Sequence, residues 1–365
     1  MLKNSLIVLA CLLLSHSHVD AMNTKSNATT EKIVIAHRGA SGYLPEHTLE
    51  AKALAYGMGA DYIEQDVVMT KDNVVIVLHD PYLERVTDVM DQFPDRFQMV
   101  NGKKRWLALD FTLAEIRTLN VTEGFTLDAQ GNKQAGYPKR FPLFKSQFAI
   151  PTLAEEIELI QGLNKSTGRD VGIYVEFKAP WLHRMKGRDI SKVTLQLLKS
   201  YGYSTMQDKI FIQCFDPDET RRIASELYPQ LGIKLPLVQL IAESDWNETK
   251  RIVDGELVNY SYDWMFNSGA MEKIAEYADG IGPWFPMLIT ADSAIDNIKA
   301  SLMLREAKKA GLIIHPYTFR NDDGHIPPFA KDFADFLDIY YQQLGVDGVF
   351  TDYPDLAVRF LKQHD

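Results

Sequence analysis

Apolar residues recur along this chain in short runs bounded by polar and small residues. Runs near Ile33–His37, Tyr62–Asp66, Gly172–Phe177, Lys209–Gln213, Lys234–Leu240, Gly280–Trp284, Leu312–Tyr317 and Asp347–Thr351 read as buried strands. Between most of them the spacing changes to the helical period. Thr48 to Gly57, Asp189 to Tyr201, Asp218 to Tyr228, Ala291 to Ala310, Lys331 to Leu344 and Asp355 to Lys362 carry it, and Gly311 and Gly345 supply helix stops just before a strand. Strands and helices alternating in this way predict an α/β protein of the closed (β/α)8 class, a TIM barrel. An open doubly wound sheet is the alternative, and it wants a Gly-rich phosphate loop after its first strand. His37-Arg38-Gly39-Ala40-Ser41-Gly42 has glycines, but not in the G-x-G-x-x-G order.

Two stretches break the rhythm. Residues 81–150, after the second strand, are rich in Pro, Lys, Arg and aromatics, and residues 242–269 hold Trp246, Tyr260 and Trp264. Both read as elaborated loops within one barrel domain spanning 32–365. At the start, Lys3, the apolar run Leu6 to Ser15 and Val19-Asp20-Ala21 form a signal peptide over 1–21, which predicts export, to the periplasm in a bacterium. Val8-Leu9-Ala10-Cys11 is the rival reading, a lipoprotein site that would anchor the chain through Cys11. Residues 22–31 are small and polar and read as flexible. The leader run is too short to remain as an anchor, so no transmembrane anchor is expected. Cleavage after Ala21 leaves Cys214 alone, without an intrachain disulfide.

Composition narrows the function classes. At 365 residues and 46% hydrophobic, the chain can bury a large core without disulfides. A formal charge of −10 argues against a nucleic-acid partner that relies on phosphate neutralisation. A small anionic substrate is still allowed, because local basic residues govern its binding.

The candidate chemistry lies in five fragments: His37-Arg38-Gly39, Pro45-Glu46-His47-Thr48, Glu64-Gln65-Asp66, His79-Asp80 and Glu176-Phe177-Lys178. In a (β/α)8 barrel the C-terminal strand ends converge on one mouth. Glu64 and Asp66 share a strand face, and Glu176 and Lys178 repeat the spacing. Any one buried carboxylate or histidine is commonly structural. Three acids together repel and desolvate one another unless a cation sits among them. Oxygen ligands favour Mg2+ or Ca2+ over Zn2+. With a divalent cation, Arg38, Lys178 and one phosphodiester, the three carboxylates are neutralised; without the diester, one positive charge is left over. Arg38 offers planar two-pronged donation to phosphate oxygens, and Lys178 a compact charge. His37 and His79 suit a shared acid–base role near neutral pH. Gln213, Trp284, Tyr317 and Phe319 follow later strand ends and, with Phe215, are candidate substrate-pocket residues; Thr351-Asp352 closes the circle.

In this order and at strand ends, H-R-G, P-E-x-T, E-x-D, H-D and E-x-K resemble the glycerophosphodiester phosphodiesterase family, as does Phe350-Thr351-Asp352-Tyr353-Pro354-Asp355. The likeness runs from about Ile33 to Leu361, and the leader and long insertion look most like the exported bacterial members. The resemblance implies hydrolysis of glycerophosphodiesters, such as glycerophosphocholine or glycerophosphoethanolamine, to sn-glycerol 3-phosphate and an alcohol. It also implies a divalent cation, Ca2+ rather than Mg2+, on Glu64, Asp66 and Glu176. His37 and His79 become the acid–base pair, and Arg38 and Lys178 the phosphate holders. Many relatives have Asn where His47 stands, which marks His47 as a variant support of the site. Two other readings compete. One is a phospholipase acting on intact lipids, with Phe93, Phe97, Trp106 and Phe111 as an apolar rim. The other is a surface-exposed binding protein or adhesin on the same scaffold. Oligomeric state is open, a homodimer included.

Overall fold

A computed structural model describes residues 32–364. The leader, the polar segment 22–31 and the Cys11 site lie outside the described residues. Parallel strands β1 (Ile33–Ala36), β2 (Tyr62–Met69), β3 (Gly172–Phe177), β4 (Ile210–Cys214), β5 (Leu237–Ile241), β6 (Gly280–Pro283), β7 (Ile313–Ile314) and β8 (Gly348–Thr351) pair in the order β7-β6-β5-β4-β3-β2-β1-β8. The remaining seam, β7 to β8, is held by single bonds. Asp347 N–H donates to Ile314 O at 3.1 Å, Phe350 N–H to Pro316 O at 3.0 Å and Phe319 N–H to Phe350 O at 2.8 Å. These complete a TIM barrel, with every sequence-predicted strand present.

The inward faces of the strands change character from bottom to top. Ile35, Tyr62, Tyr174, Phe211, Val238 and Phe350 form one buried cluster, an aromatic-rich floor inside the barrel. Tyr174 stacks on Phe211 with centroids 4.8 Å apart. Side chains alternate along a strand, so the next inward position lies two residues on. There the residues are His37, Glu64, Glu176, Gln213 and Asp352. Five of these six strands therefore pass from apolar filling to polar chemistry in one period, while β5 continues with Leu240. Register does the rest: β2–β3 pairing sets Asp66 opposite Glu176, and β3–β4 pairing sets Glu176 opposite Gln213.

Helices pack the outer face. Helix α1 (Leu49–Met58) is capped by Thr48, whose hydroxyl accepts from Ala51 N–H at 3.2 Å, and it ends at Gly59 with φ 96°. Helix α2 (Leu153–Thr167), which periodicity did not mark, starts from a Thr152/Glu155 capping box. The helix expected over Ala291 to Ala310 is confined to Leu302–Ala310. Thr290 donates to Asp292 and Ser301 caps the helix through Leu304 N–H, so turn chemistry claims the earlier residues. Helix Pro217–Arg222 continues into a wider π-type turn over Ile223–Leu227, ahead of Pro229, which cannot donate to a helical ladder.

The insertion makes its own small core. Val86, Trp106, Phe111, Ile116 and Phe148 bury together with Val68 and Ile76 of the barrel side. Phe111 is fully enclosed, Trp106 nearly so, and Phe93 and Phe97 pack against them, so these aromatics are not the apolar rim expected of a phospholipase. The insertion also begins with a device that brings His79 home. Strand β2 overshoots the barrel, and Val75–Val77 folds back antiparallel against it, Val67 opposite Val77. Leu78 N–H then donates to Asp66 O at 2.8 Å, which leaves His79 at the mouth.

His183 ties this outer region together. Its Nδ1 donates to Ala179 O at 3.0 Å and its Nε2 accepts from Met69 N–H at 3.2 Å. Burial holds the imidazole neutral, pushed down to about 4. The unfolded chain binds that proton near pH 6.5, so the contribution is complete above this pH and fades as pH falls toward 4. Urea unfolding at pH 7.5 and pH 5 should show a loss of stability that His183→Gln shrinks by about 2 kcal/mol. An identical pH slope in the variant would remove His183 from the acid response.

Candidate active site

The His-Arg-Gly turn builds the first wall. His37 ends β1, donating its backbone N–H to Thr351 O at 3.0 Å. Arg38 then takes a left-handed φ of 58°, which aims its own N–H at Glu64 Oε2, 2.9 Å away. Gly39 follows at φ 89°, and a Cβ there would lie 2.9 Å from the Ala51 backbone. The glycine is required for α1 to approach the strand end.

Both imidazoles are oriented from behind by ionised carboxylates. His37 Nδ1 lies 2.5 Å from Asp352 Oδ1, and Asp352 Oδ2 accepts from Arg140 Nη2 at 2.6 Å and Arg320 Nε at 2.9 Å. His79 Nδ1 lies 2.7 Å from Asp80 Oδ1, while Asp80 Oδ2 accepts from Arg85 Nε at 2.7 Å. Although burial alone would raise them, neighbouring cations hold Asp352 and Asp80 well below the usual carboxylate range. Each Nδ1 is therefore the donor, and each Nε2 keeps its lone pair. Burial, then the charge of Arg38, pushes both rings down to about 4.

The acids sit between them. One oxygen from each of Glu64, Asp66 and Glu176 lies within 4.8 Å of the others, and all three residues are buried. Burial and mutual repulsion push Glu64 and Glu176 up. Asp66 is held down against its burial by Lys178 and His47. Lys178 Nζ lies 2.7 Å from Glu176 Oε1, and Gln213 Nε2 donates to Glu64 Oε1 at 2.9 Å. Asp66 Oδ1 is buried with no hydrogen-bond partner among the described residues. An orphaned carboxylate oxygen inside an all-oxygen, net negative cluster fits a hard divalent cation.

His47 takes a defined place beneath the acids. Its Nε2 donates to Asp66 Oδ2 at 2.7 Å, and its Nδ1 accepts from Lys52 Nζ at 3.1 Å. Lys52 is wholly buried and pairs with Glu156 at 3.2 Å. The side chain of Arg38 is anchored by Glu46 Oε2 at 2.9 Å and lies 3.6 Å from Asp66.

These groups open into a cavity of about 300 Å3 lined by His37, Arg38, Glu64, His79, Glu176 and Gln213 on one side. Phe215, Trp246, Trp284, Tyr317 and Glu248 form the other side. Trp284 meets Trp246 edge-on at 5.2 Å. Phe319 is the exception among the expected residues. It is fully buried, stacked on Phe336 at 4.3 Å, and belongs to the outer core, because its inward backbone position is spent on the β7–β8 seam. Sequence reasoning missed Trp246 and Glu248, which come from the loop after β5. It also missed Arg140 and Arg320 behind Asp352, whose only signal was that an acid at the end of the last strand needs cations.

Known proteins resemble this chain over most of its length. The family model described as the glycerophosphoryl diester phosphodiesterase family matches residues 37–356. The chain is 48% identical to a glycerophosphodiester phosphodiesterase of Haemophilus influenzae, covering 98% of this chain and 97% of that one. It is 40% identical to a glycerophosphodiester phosphodiesterase of Treponema pallidum, covering 92% and 93%. A solved Oleispira antarctica phosphodiesterase, in complex with the product sn-glycerol-3-phosphate, has the same fold at 20% identity, with a TM-score of 0.58 over 90% of this chain and 96% of that one.

The acid cluster generates a thermodynamic expectation. A divalent cation at about 100 times its dissociation constant should stabilise the fold by about 2.7 kcal/mol, read as a rise in melting temperature. Asp66→Asn should abolish most of that rise. An equal rise in the variant would move the cation elsewhere.

Proposed function

The chain belongs to the glycerophosphoryl diester phosphodiesterase family, and we propose that it hydrolyses glycerophosphodiesters to sn-glycerol 3-phosphate and an alcohol by histidine acid–base catalysis assisted by a divalent cation. The observation that carries this reading is the pair of imidazoles, each oriented by a carboxylate at Nδ1, facing one cavity lined by Arg38, Glu64 and Glu176, with Asp66 and Lys178 against these acids. The cavity, about 300 Å3, suits a glycerophosphodiester and is small for a diacyl lipid, which favours this substrate class over an intact phospholipid. A complete set of acid, base and cationic groups likewise favours catalysis over a purely adhesive role.

In this reading Arg38 and Lys178 receive the non-bridging phosphate oxygens. One imidazole takes a proton at Nε2 from the attacking oxygen as the new P–O bond forms. The other gives a proton to the departing alkoxide as the old P–O bond breaks, so protons balance over a turnover. The negative diester beside the rings favours the protonated partner that their burial disfavours. Asp352 and Asp80 keep each Nε2 aimed at the phosphate. Glu64, Asp66 and Glu176 would hold the cation, which when bound withdraws charge from the phosphoryl oxygens. Ca2+ is the proposed ion, because carboxylates crowded by Lys178 and Arg38 give an irregular oxygen set that it tolerates better than Mg2+. Trp284 and Gln213 complete the substrate wall. The leader points to an exported, periplasmic enzyme.

Glycerophosphodiester turnover should stop after exhaustive chelation and return with Ca2+ more fully than with Mg2+. His37→Ala and His79→Ala should each lower kcat by about 10²–10⁴-fold while keeping the melting temperature. Full activity in metal-free buffer would sink the cation assignment, and near-normal kcat would clear the histidine concerned.

A further inference from the structure

A second cavity of about 220 Å3 adjoins the first and shares His37, Arg38 and Arg320 with it. Its far side comes from the insertion, where Glu123, Phe125 and Tyr137 line it. A phosphodiester has two ends, and a phosphate held at Arg38 beside His37 lies at the junction of the two cavities. One end then enters the aromatic cavity above the acids. The other enters the cavity made by the insertion.

The charges facing this second cavity are unevenly satisfied. Arg38 and Arg85 donate to Glu46, and Arg85 also to Asp80. Arg140 donates to Asp322 and Asp352, and Arg320 to Asp352. Each guanidinium there has a carboxylate partner, although Arg38 Nε has no hydrogen-bond partner among the described residues and is left for the phosphate. Glu123 is different. Only 4% exposed, it has Oε2 buried without a hydrogen-bond partner among the described residues. Burial, then the charge of Glu46, pushes it up to about 8, and nearby Arg140 offsets only part of this. A carboxyl in that state is held mainly in its neutral form near neutral pH, and a cation brought to Oε2 would favour its ionised form.

We propose that Glu123, with Phe125 and Tyr137, forms a subsite for a primary-ammonium alcohol as the leaving group, the ethanolamine end of a glycerophosphodiester. This rests on the diesterase reading above. An ammonium N–H would satisfy Oε2, with Phe125 and Tyr137, whose ring already carries Arg140 3.7 Å from its centroid, as apolar walls. A quaternary ammonium has no N–H to give, so choline lacks the hydrogen bond.

The test compares kcat/KM for glycerophosphoethanolamine and glycerophosphoglycerol on the full chain with its cation restored. Glu123→Gln should lower the ratio of the first to the second at least tenfold, mainly through KM. A ratio within twofold of wild type, whether both rates fall together or neither moves, would overturn the subsite. Saturation-transfer NMR on the wild type gives a reading that does not depend on the variant folding. Ethanolamine should receive saturation and its neutral counterpart ethylene glycol should not; equal or absent transfer counts against the proposal. Were neither diester hydrolysed, the diesterase reading would fail, and the NMR result alone would judge the ammonium site.

Discussion

The lateral pairing of Asp66 with Glu176 across the β2–β3 ladder is the constraint to which the rest of the mouth responds. Parallel register forces these two acids side by side, with Glu64 one inward position below. Like charges at such spacing in a buried site repel strongly. The surrounding residues answer that repulsion from every direction. Lys178 follows Glu176 by two residues, just past the end of β3, and Lys52 acts through His47 from below. Gln213 donates from the next strand, and the Arg38 amide donates from the first. A cluster so heavily braced still leaves Asp66 Oδ1 without a hydrogen-bond partner among the described residues. The bracing therefore stops short of neutrality, and a cation has a place to complete it.

Much of this was legible in the chain because period-two alternation is rigid. Once Tyr62 and Tyr174 are recognised as floor, Glu64 and Glu176 must point into the same space one step higher. His37, Arg38 and Lys178 follow from strand ends in the same way. What stayed illegible depends on loops, whose paths are set by tertiary packing and not by periodicity. Phe319 looked like a strand-end wall, yet the seam bond to Phe350 turns it into the core. Trp246 and Glu248 sit in a loop whose return over the mouth has no local signature. His79 was readable as chemistry but not as geometry, since its reach depends on the fold-back of Val75–Val77.

The insertion is where the two kinds of information meet. Its aromatics suggest a lid or rim when read by composition, but they are consumed by a satellite core. Its contacts with the mouth are made instead by a few polar residues. Arg85 supports Asp80, Arg140 supports Asp352, and Glu123 faces the second cavity. The segment thus reaches both imidazoles from outside the barrel and adds a wall that the strands alone cannot supply.

The Asp352 carboxylate joins parts of the chain that are made at very different times. It lies 2.5 Å from His37 at the start of the barrel, and it accepts from Arg140 in the insertion and Arg320 near the end. Until the last strand has been synthesised and zipped onto the first, His37 has nothing to fix its tautomer or direction. A chain without that strand can keep His79 on Asp80, but it lacks the partner of His37 Nδ1. The order of residues along the polypeptide therefore makes the setting of His37 wait for the final strand.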